Sequence, residues 1–250
     1  MPYETVLYEK DGGIGRVIFN RPQAMNAITP TMLNELREAV TQAGKEDDVK
    51  IVVLTGTGKA FCAGVDLKAL GSGTLDRGKV GDILDLPARA LIDAMRAVPK
   101  PVIGLVNGFC FTGGLEILLA CDMIIAAEEA KLGDTHAKWG IRPTWGMSAR
   151  LQRRVGFIKA RELSYTADSI TGKEAERIGL VNMAVPLEKL EEALQTMAKK
   201  IMANSPQSIA AYKKLYNANE SMVLQAALEL EFNTEFEISD TMERLSGFKK

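Results

Sequence analysis

Short apolar runs that alternate with helical patterns are the feature that most constrains the fold of this chain. "KIVVLTG", "PVIGLV" and "DMIIAA" are of strand length and almost entirely apolar. Such runs are typical of parallel strands that are buried on both faces of a sheet. Helical patterns separate them, "LPARALIDAMRAV" before the second run and "GGLEILLAC" before the third. The alternation predicts an α/β fold made of parallel βαβ units.

The two ends of the chain depart from this alternation. "ETVLYEKDGGIGRVIFN" predicts a β-hairpin with its turn at residues 11–13, and Thr29 followed by Pro30 predicts a helix start. Near the C-terminus the strand patterns stop and helical patterns take over. We therefore expect an α/β core over residues 1–195 and a helical region over residues 196–250.

Charge and composition exclude several classes of protein. The 250 residues carry 31 basic and 32 acidic side chains, which gives no electrostatic footprint for nucleic acid or an anionic membrane. No apolar run approaches the roughly 20 residues of a membrane span. The cysteines, Cys62, Cys110 and Cys121, form no CxxC pair and predict no metal site. With no signal-peptide pattern at the N-terminus, we expect a cytoplasmic protein.

The stretch "NGFCFTGGLEILLACD" places a carboxylate, Glu116, inside an apolar helical pattern. A buried carboxylate is costly to keep ionised, so it is usually paired, protonated or functional. Gly113 and Gly114 come just before it, at the predicted helix N-terminus, where free N–H groups point outward. The segment predicts an N–H donor and a carboxylate close together. The alternative is a helix whose glutamate merely reaches solvent.

A second glycine-bearing loop, "KAFCAGVDLKAL", follows the first buried strand. Loops after parallel strands are where such folds place their binding groups. The two loops together could direct two backbone N–H groups at one oxygen atom.

These segments belong to a series of motifs that resembles the enoyl-CoA hydratase/isomerase (crotonase) superfamily over essentially the whole chain. The ordered motifs are "RPQAMNAIT", "KAFCAGVDLKAL", "PVIGLVNGFCFTGGLEILLACD", "LGDTHAKWGIRP" with "RRVG", and "ADSITGKEAERIGLVNMAV". The resemblance implies a crotonase-like spiral of ββα units. It also implies a C-terminal helical oligomerisation region that assembles homotrimers or homohexamers.

The resemblance further implies an acyl-CoA thioester substrate and an enolate-like intermediate, with coenzyme A as part of the substrate and no separate cofactor or metal. The oxyanion hole would consist of the N–H groups of Val65 and Gly113, each worth roughly 3–4 kcal/mol in comparable sites. Substrate contacts are expected from Ala63, Asp66, Leu67 and Lys68. Lys59 and Lys68 either contact phosphate or are solvated surface charges.

His136, the only histidine, stands where family hydratases carry the second of two catalytic glutamates, the first of which matches Glu116. Glutamate and histidine can divide acid and base roles between them, and Asp134 is a further candidate acid. The alternative is that His136 only hydrogen-bonds its loop.

Bulky aromatic residues after His136 indicate an altered acyl pocket. Trp145 and Trp139 could line or cap it. Phe248 and the terminal lysines, Lys249 and Lys250, could touch coenzyme A, across a subunit boundary.

The sequence therefore predicts an enoyl-CoA hydratase-like lyase of fatty acid metabolism, which adds water across the 2,3 double bond of an acyl-CoA. Because the second glutamate is absent, an isomerase, decarboxylase or hydrolase of the same type stays open. So does a non-catalytic acyl-CoA binder.

Overall fold

The structure is a computed structural model that describes residues 3–68 and 77–249, with only the main chain of the last residue. Its strands are β1 (Val6–Asp11), β2 (Ile14–Phe19), β3 (Ile51–Gly56), β4 (Ala60–Cys62), β5 (Val102–Val106), β6 (Phe109–Phe111), β7 (Met123–Ala127), β8 (Lys131–Gly133), β9 (Ser169–Thr171) and β10 (Met183–Val185). Its α-helices are α1 (Pro30–Lys45), α2 (Asp82–Ala97), α3 (Gly113–Leu118), α4 (Met147–Val155), α5 (Phe157–Thr166), α6 (Gly172–Arg177), α7 (Leu190–Met202), α8 (Pro206–Asn219), α9 (Leu224–Asn233) and α10 (Thr241–Ser246).

The strands form two sheets, and the pairs β3–β4, β5–β6 and β7–β8 each contribute one strand to each sheet. In the described residues the large sheet has the order β1-β2-β3-β5-β7-β10 and the small sheet the order β4-β6-β8-β9. From β2 onward the large sheet is parallel, as are β4, β6 and β8 of the small sheet. The pairs β3–β4, β5–β6 and β7–β8 each lead into a helix. This is the predicted spiral of ββα units.

The predicted hairpin and first helix form as their residues dictate. Strands β1 and β2 pair antiparallel around Gly12 and Gly13, whose φ angles of 55° and 84° favour glycine. Thr29 caps α1, because its hydroxyl accepts a hydrogen bond from the N–H of Met32 at 3.2 Å. The face of α1 that carries Leu33 and Leu36 is buried in the main core.

Helices take over after β10, as predicted. Helix α7 packs Leu190, Leu194 and Ala198 into a second apolar cluster with residues of the large sheet. The predicted division after residue 195 falls inside α7, a continuous helix, and it stays a prediction. Helix α9 has no buried residue. Within the described ranges, no helix is both long and apolar enough to cross a bilayer.

Close backbone packing aligns the successive turns of the spiral. A Cβ atom at Gly108, between β5 and β6, would lie 2.1 Å from the carbonyl oxygen of Lys59, just before β4. The next residue, Phe109, donates its N–H to that carbonyl at 3.2 Å. This contact fixes β6 beside β4, the two strands that lead into the glycine-bearing loops.

We expect Gly108→Ala to lower the free energy of unfolding by roughly 3 kcal/mol, because the added methyl group meets main-chain atoms that cannot move away. Gly247→Ala is the matched control, since a Cβ atom there meets nothing within 4 Å. Thermal denaturation compares the two variants with the parent chain. Equal melting temperatures for all three proteins would contradict this view of the packing.

Candidate active site

The loop after β4 presents the N–H of Val65 away from its neighbouring strand. Ile28 donates its N–H to the carbonyl of Gly64 at 2.8 Å, and Asp66 donates to the carbonyl of Ile28 at 3.0 Å. Successive residues of extended backbone direct their polar groups to opposite sides. The N–H of Val65 therefore points to the side opposite Ile28, and no acceptor for it occurs in the described part of the chain.

A second N–H group is available where α3 begins. The first intrahelical hydrogen bond runs from the N–H of Glu116 to the carbonyl of Thr112 at 2.9 Å, so the N–H of Gly113 precedes the helical ladder. Thr112 has a φ of 49°, a conformation that is unfavourable for a β-branched residue. The strained turn directs the chain abruptly from β6 into α3.

The two loops pack against each other through glycine. A Cβ atom at Gly64 would lie 3.2 Å from the carbonyl oxygen of Phe111 and from Oγ1 of Thr112. A Cβ atom at Gly114 would lie 2.6 Å from the carbonyl oxygen of Cys62. Val65 and Gly113 consequently line one cavity of about 520 Å³.

The Glu116 carboxylate lies in this cavity and is held by two main-chain donors. Its side chain is 2% exposed. Oε1 accepts hydrogen bonds from the N–H groups of Trp145 at 2.9 Å and Met147 at 3.0 Å. Oε2 is free of those bonds and lies 3.5 Å from Nε2 of His136. The sequence left open whether Glu116 is functional or only reaches solvent from its helix. In the structure Glu116 is buried, and its carboxylate faces His136.

His136 forms the centre of a chain of charged and polar groups. Its Nδ1 lies 2.6 Å from Oδ1 of Asp134, which also accepts the N–H of His136 at 3.2 Å. The other Asp134 oxygen accepts a hydrogen bond from the Ser164 hydroxyl at 2.7 Å. The imidazole therefore lies between two carboxylates, with one ring nitrogen toward each.

The two carboxylates decide the charge of the imidazole. Burial lowers the pKa of His136, but the hydrogen bonds that the ring donates to Asp134 and Glu116, together with the negative charges of these groups, outweigh burial and raise that pKa to about 9. Burial also raises the pKa of Asp134, yet its bonds with His136 and Ser164 outweigh this and lower it. The two neighbouring acidic side chains therefore favour the protonated form of the imidazole.

The remaining predicted residues divide between the cavity and the surface. Ala63, Leu67 and the buried Trp145 line the cavity, and Trp139 lines it while 59% exposed. Asp66 does not line it, and its Oδ2 lies 3.0 Å from Nη2 of Arg21. Two lysines, Lys59 and Lys68, are exposed outside the cavity lining, as is Phe248. The Lys249 side chain and Lys250 lie outside the described residues.

Several residues of the site escaped the sequence analysis. Ser164 comes from α5, and Asp85 of α2 accepts a hydrogen bond from Nε1 of Trp145 at 2.7 Å. The hydroxyl oxygens of Thr112 and Thr135 lie 2.8 Å apart and form a hydrogen bond beside the start of α3. Ser164 and Asp85 lie outside the quoted motifs, and Thr112 and Thr135 lie within them without having been singled out. In the described ranges, no group of three or more His, Cys, Asp or Glu is arranged to hold a metal.

Comparison with known proteins agrees with this geometry. The model of the enoyl-CoA hydratase/isomerase family matches residues 9–249. The chain belongs to this family. Because the match runs through both sheets and the C-terminal helices, the crotonase-type ββα spiral, the cavity and the helical region belong to one family architecture.

Individual members of the family match the chain over nearly its whole length. It is 35% identical over 252 residues to a crotonyl-CoA hydratase of Syntrophomonas wolfei, with 99% of this chain and 96% of the relative covered. It is 36% identical to a probable peroxisomal enoyl-CoA hydratase of Arabidopsis thaliana, with 89% of this chain and 82% of the relative covered. The crystal structure of an enoyl-CoA hydratase from Bacillus anthracis superposes with a TM-score of 0.89 at 32% identity, with 98% of this chain and 96% of that chain covered.

The single histidine allows the charge of the site to be measured directly. We expect NMR of the ¹³C-histidine-labelled protein to show one imidazole that titrates near pH 9. The urea-unfolded chain should titrate near ~6.5. Because folding raises this pKa, the stability that it contributes is complete below pH ~6.5 and is lost as the pH rises through about 9.

Asp134→Asn should lower the titration midpoint, because the amide leaves the ring without the negative charge at Nδ1. Asp168→Asn is the control, since Asp168 lines the same cavity and has no contact with the imidazole. A folded-state midpoint at or below that of the unfolded chain would contradict the described array.

Proposed function

We propose that this enzyme of the enoyl-CoA hydratase/isomerase family adds water across the 2,3 double bond of an acyl-CoA thioester. The observation that carries the proposal is the buried Glu116–His136 pair, which lies in the same cavity as the N–H groups of Val65 and Gly113. The cavity thus combines an acid/base pair with two main-chain donors. Hydration of a conjugated thioester requires both.

The main-chain donors act on the thioester oxygen. Attack of water on the β-carbon moves negative charge through the conjugated system to the carbonyl oxygen. Donors that already point at that oxygen stabilise the charge without reorganising. Removing one such donor costs about 10²–10³ in kcat in comparable enzymes. A valine at position 65 is compatible with this role because only its N–H takes part.

Glu116 and His136 perform the proton transfers. The Oε2 atom of Glu116 removes a proton from water while the oxygen bonds to the β-carbon. The imidazolium of His136 then donates the proton from Nε2 to the α-carbon of the enolate. Direct transfer between the two side chains, whose atoms lie 3.5 Å apart, restores the starting charges. The net reaction consumes one water molecule and needs no metal or redox cofactor.

Asp134 and Ser164 position the histidine. Because Asp134 occupies Nδ1, the remaining nitrogen, Nε2, faces Glu116 and the cavity. The Ser164 hydroxyl fixes the second oxygen of Asp134. This arrangement supports an active histidine where family hydratases have glutamate, because it supplies a proton donor at neutral pH.

The decisive assay is hydration of crotonyl-CoA, followed as the loss of its conjugated-thioester absorbance. We expect turnover by the parent protein. If a 3-enoyl-CoA is consumed and crotonyl-CoA is not hydrated, the enzyme is an isomerase. Tight binding of acyl-CoA without turnover of any thioester would identify a non-catalytic binder.

We expect Glu116→Gln to lower kcat by roughly 10²–10⁴-fold, because the amide cannot accept the proton of water. His136→Gln should cause a loss in the same range, while the KM for crotonyl-CoA changes little in either variant. The control is Glu35→Gln, since Glu35 also accepts two main-chain N–H groups, at 2.7 and 2.8 Å, but lies outside the cavity. Full activity of Glu116→Gln would refute the role given to this carboxylate.

The C-terminal helices support a homotrimer, either alone or paired as a homohexamer. Leu224, Leu228 and Phe232 are exposed on α9 at intervals of four residues, so they form one apolar stripe. Met242 and Leu245 of α10 are exposed as well. Exposed apolar side chains grouped in this way are typical of a subunit interface. We propose that further copies of this chain cover it.

We expect light scattering to give the mass of a trimer or hexamer for the parent protein and a smaller mass for Phe232→Asp. The matched control is Ile158→Asp, which also introduces a charge at an exposed apolar position but on α5. This control should retain at least a trimer. A monomeric parent protein would contradict the proposal.

A cytoplasmic location stays a prediction. It is supported by the three cysteines, which are free and buried. Burial raises the pKa of each of these thiols, to about 12 for Cys62 and Cys121. Such groups act as small apolar side chains and suit a reducing compartment.

A further inference from the structure

The indole of Trp145 lies against the residue whose N–H is proposed to bind the thioester oxygen. A Cβ atom at Gly113 would lie 2.7 Å from Cζ3 of the indole and 3.3 Å from Cε3 and Cη2. Since Gly113 has no such atom, the ring edge rests directly on its main chain. Only 5% of Trp145 is exposed, so the ring is a buried part of the cavity lining.

Hydrogen bonds on several sides hold this indole in place. Nε1 donates to Oδ1 of Asp85 at 2.7 Å, and the same oxygen accepts the hydroxyl of Thr144 at 2.7 Å. The main-chain N–H of Trp145 donates to Glu116, and its carbonyl accepts Nη1 of Arg150 at 2.9 Å. Swinging the ring aside would break the Asp85 bond and leave a buried indole N–H without a partner, which is costly. The ring therefore acts as a rigid wall.

We infer that Trp145 is a specificity-determining residue that restricts the acyl group to short chains. This inference rests on the proposed function. An acyl group whose carbonyl oxygen accepts the N–H of Gly113 has its α- and β-carbons between the Glu116 carboxylate and the indole edge. Further carbons in that direction meet the ring. We expect a crotonyl-sized group to end before the ring and a ten-carbon group to meet it.

Trp139 provides a contrast within the same cavity. It is 59% exposed, and Nζ of Lys138 lies 5.8 Å from the centre of its ring. No hydrogen bond of its indole nitrogen to another described residue fixes the ring, and it lies at the rim of the cavity. The two tryptophans, the only ones in the chain, thus differ in depth and restraint, so their alanine variants form a matched pair.

The test measures the chain-length preference twice, once in binding of thioesters that cannot react and once in turnover. Calorimetry gives the Kd of the saturated thioesters butyryl-CoA and decanoyl-CoA. The hydration assay gives kcat/KM for crotonyl-CoA and 2-decenoyl-CoA. We expect the parent protein to prefer the four-carbon thioester at least about tenfold in both measurements, since each methylene that fits or clashes in an apolar pocket changes specificity by about 10–200-fold.

Trp145→Ala should shift both ratios toward the ten-carbon thioester by at least about tenfold, because it removes the wall. Trp139→Ala should leave both ratios unchanged. Trp145→Leu should give an intermediate shift and serves if the alanine variant does not fold, as judged by circular dichroism. Equal ratios for the parent and both Trp145 variants would overturn the inference.

The two measurements separate this inference from the proposed function. If no thioester is hydrated but the Kd ratio shifts in Trp145→Ala alone, the proposed hydration fails and the role of Trp145 in acyl selection stands. If crotonyl-CoA is hydrated but the parent protein binds and hydrates the ten-carbon thioesters equally well, the role of Trp145 fails and the hydration stands.

Discussion

The contact between Gly64 and the Phe111–Thr112 turn is the constraint on which the rest of the site depends. It brings two loops from successive turns of the spiral together, with the main chain of Gly64 against the carbonyl of Phe111 and the side chain of Thr112. Parallel pairing of β4 with β6 sets up this approach, because both loops leave the small sheet in the same direction. A side chain at position 64 would separate the loops, and with them the N–H groups of Val65 and Gly113. The site is therefore a consequence of backbone geometry before any side chain acts.

The acid/base pair is arranged around the same helix start. Glu116 lies one turn after Gly113, so the carboxylate is placed by the helix that also supplies an N–H donor. Two further main-chain N–H groups, from Trp145 just before α4 and Met147 at its start, immobilise Oε1 and leave Oε2 for chemistry. The buried cation His136 is tolerated because a carboxylate lies next to each ring nitrogen. Where the family resemblance implies a second glutamate, this chain has His136 between Glu116 and Asp134.

The sequence predicted much of the fold because its elements have local signatures. The long strands β3, β5 and β7 are apolar runs, and the β1–β2 turn contains two glycines. Helix α1 begins at Pro30, directly after its capping residue Thr29. The short strands of the small sheet were not assigned from pattern, since three residues such as those of β4 or β9 carry no periodicity. Their position depends on tertiary packing, and only the family resemblance implied them.

The site was predictable to the extent that its residues lie in motifs. Glu116, Gly113, His136 and Val65 were all candidates, and all four line one cavity. Ser164 and Asp85 could not be recognised, because each meets its partner through contacts between residues 30 and 60 positions apart. The sequence also left the orientation of His136 open, since it depends on the turn that directs Asp134 back onto Nδ1. These are properties of the folded chain.

The central claim is that two main-chain N–H groups bind one thioester oxygen beside an acid/base pair. The most direct measurement is a crystal structure of the enzyme with butyryl-CoA, a saturated thioester that cannot react. We expect the carbonyl oxygen to lie about 2.7–3.1 Å from the nitrogens of both Val65 and Gly113, with the β-carbon next to Glu116 and His136. A carbonyl oxygen bound away from either nitrogen, or an acyl group outside the cavity, would contradict it.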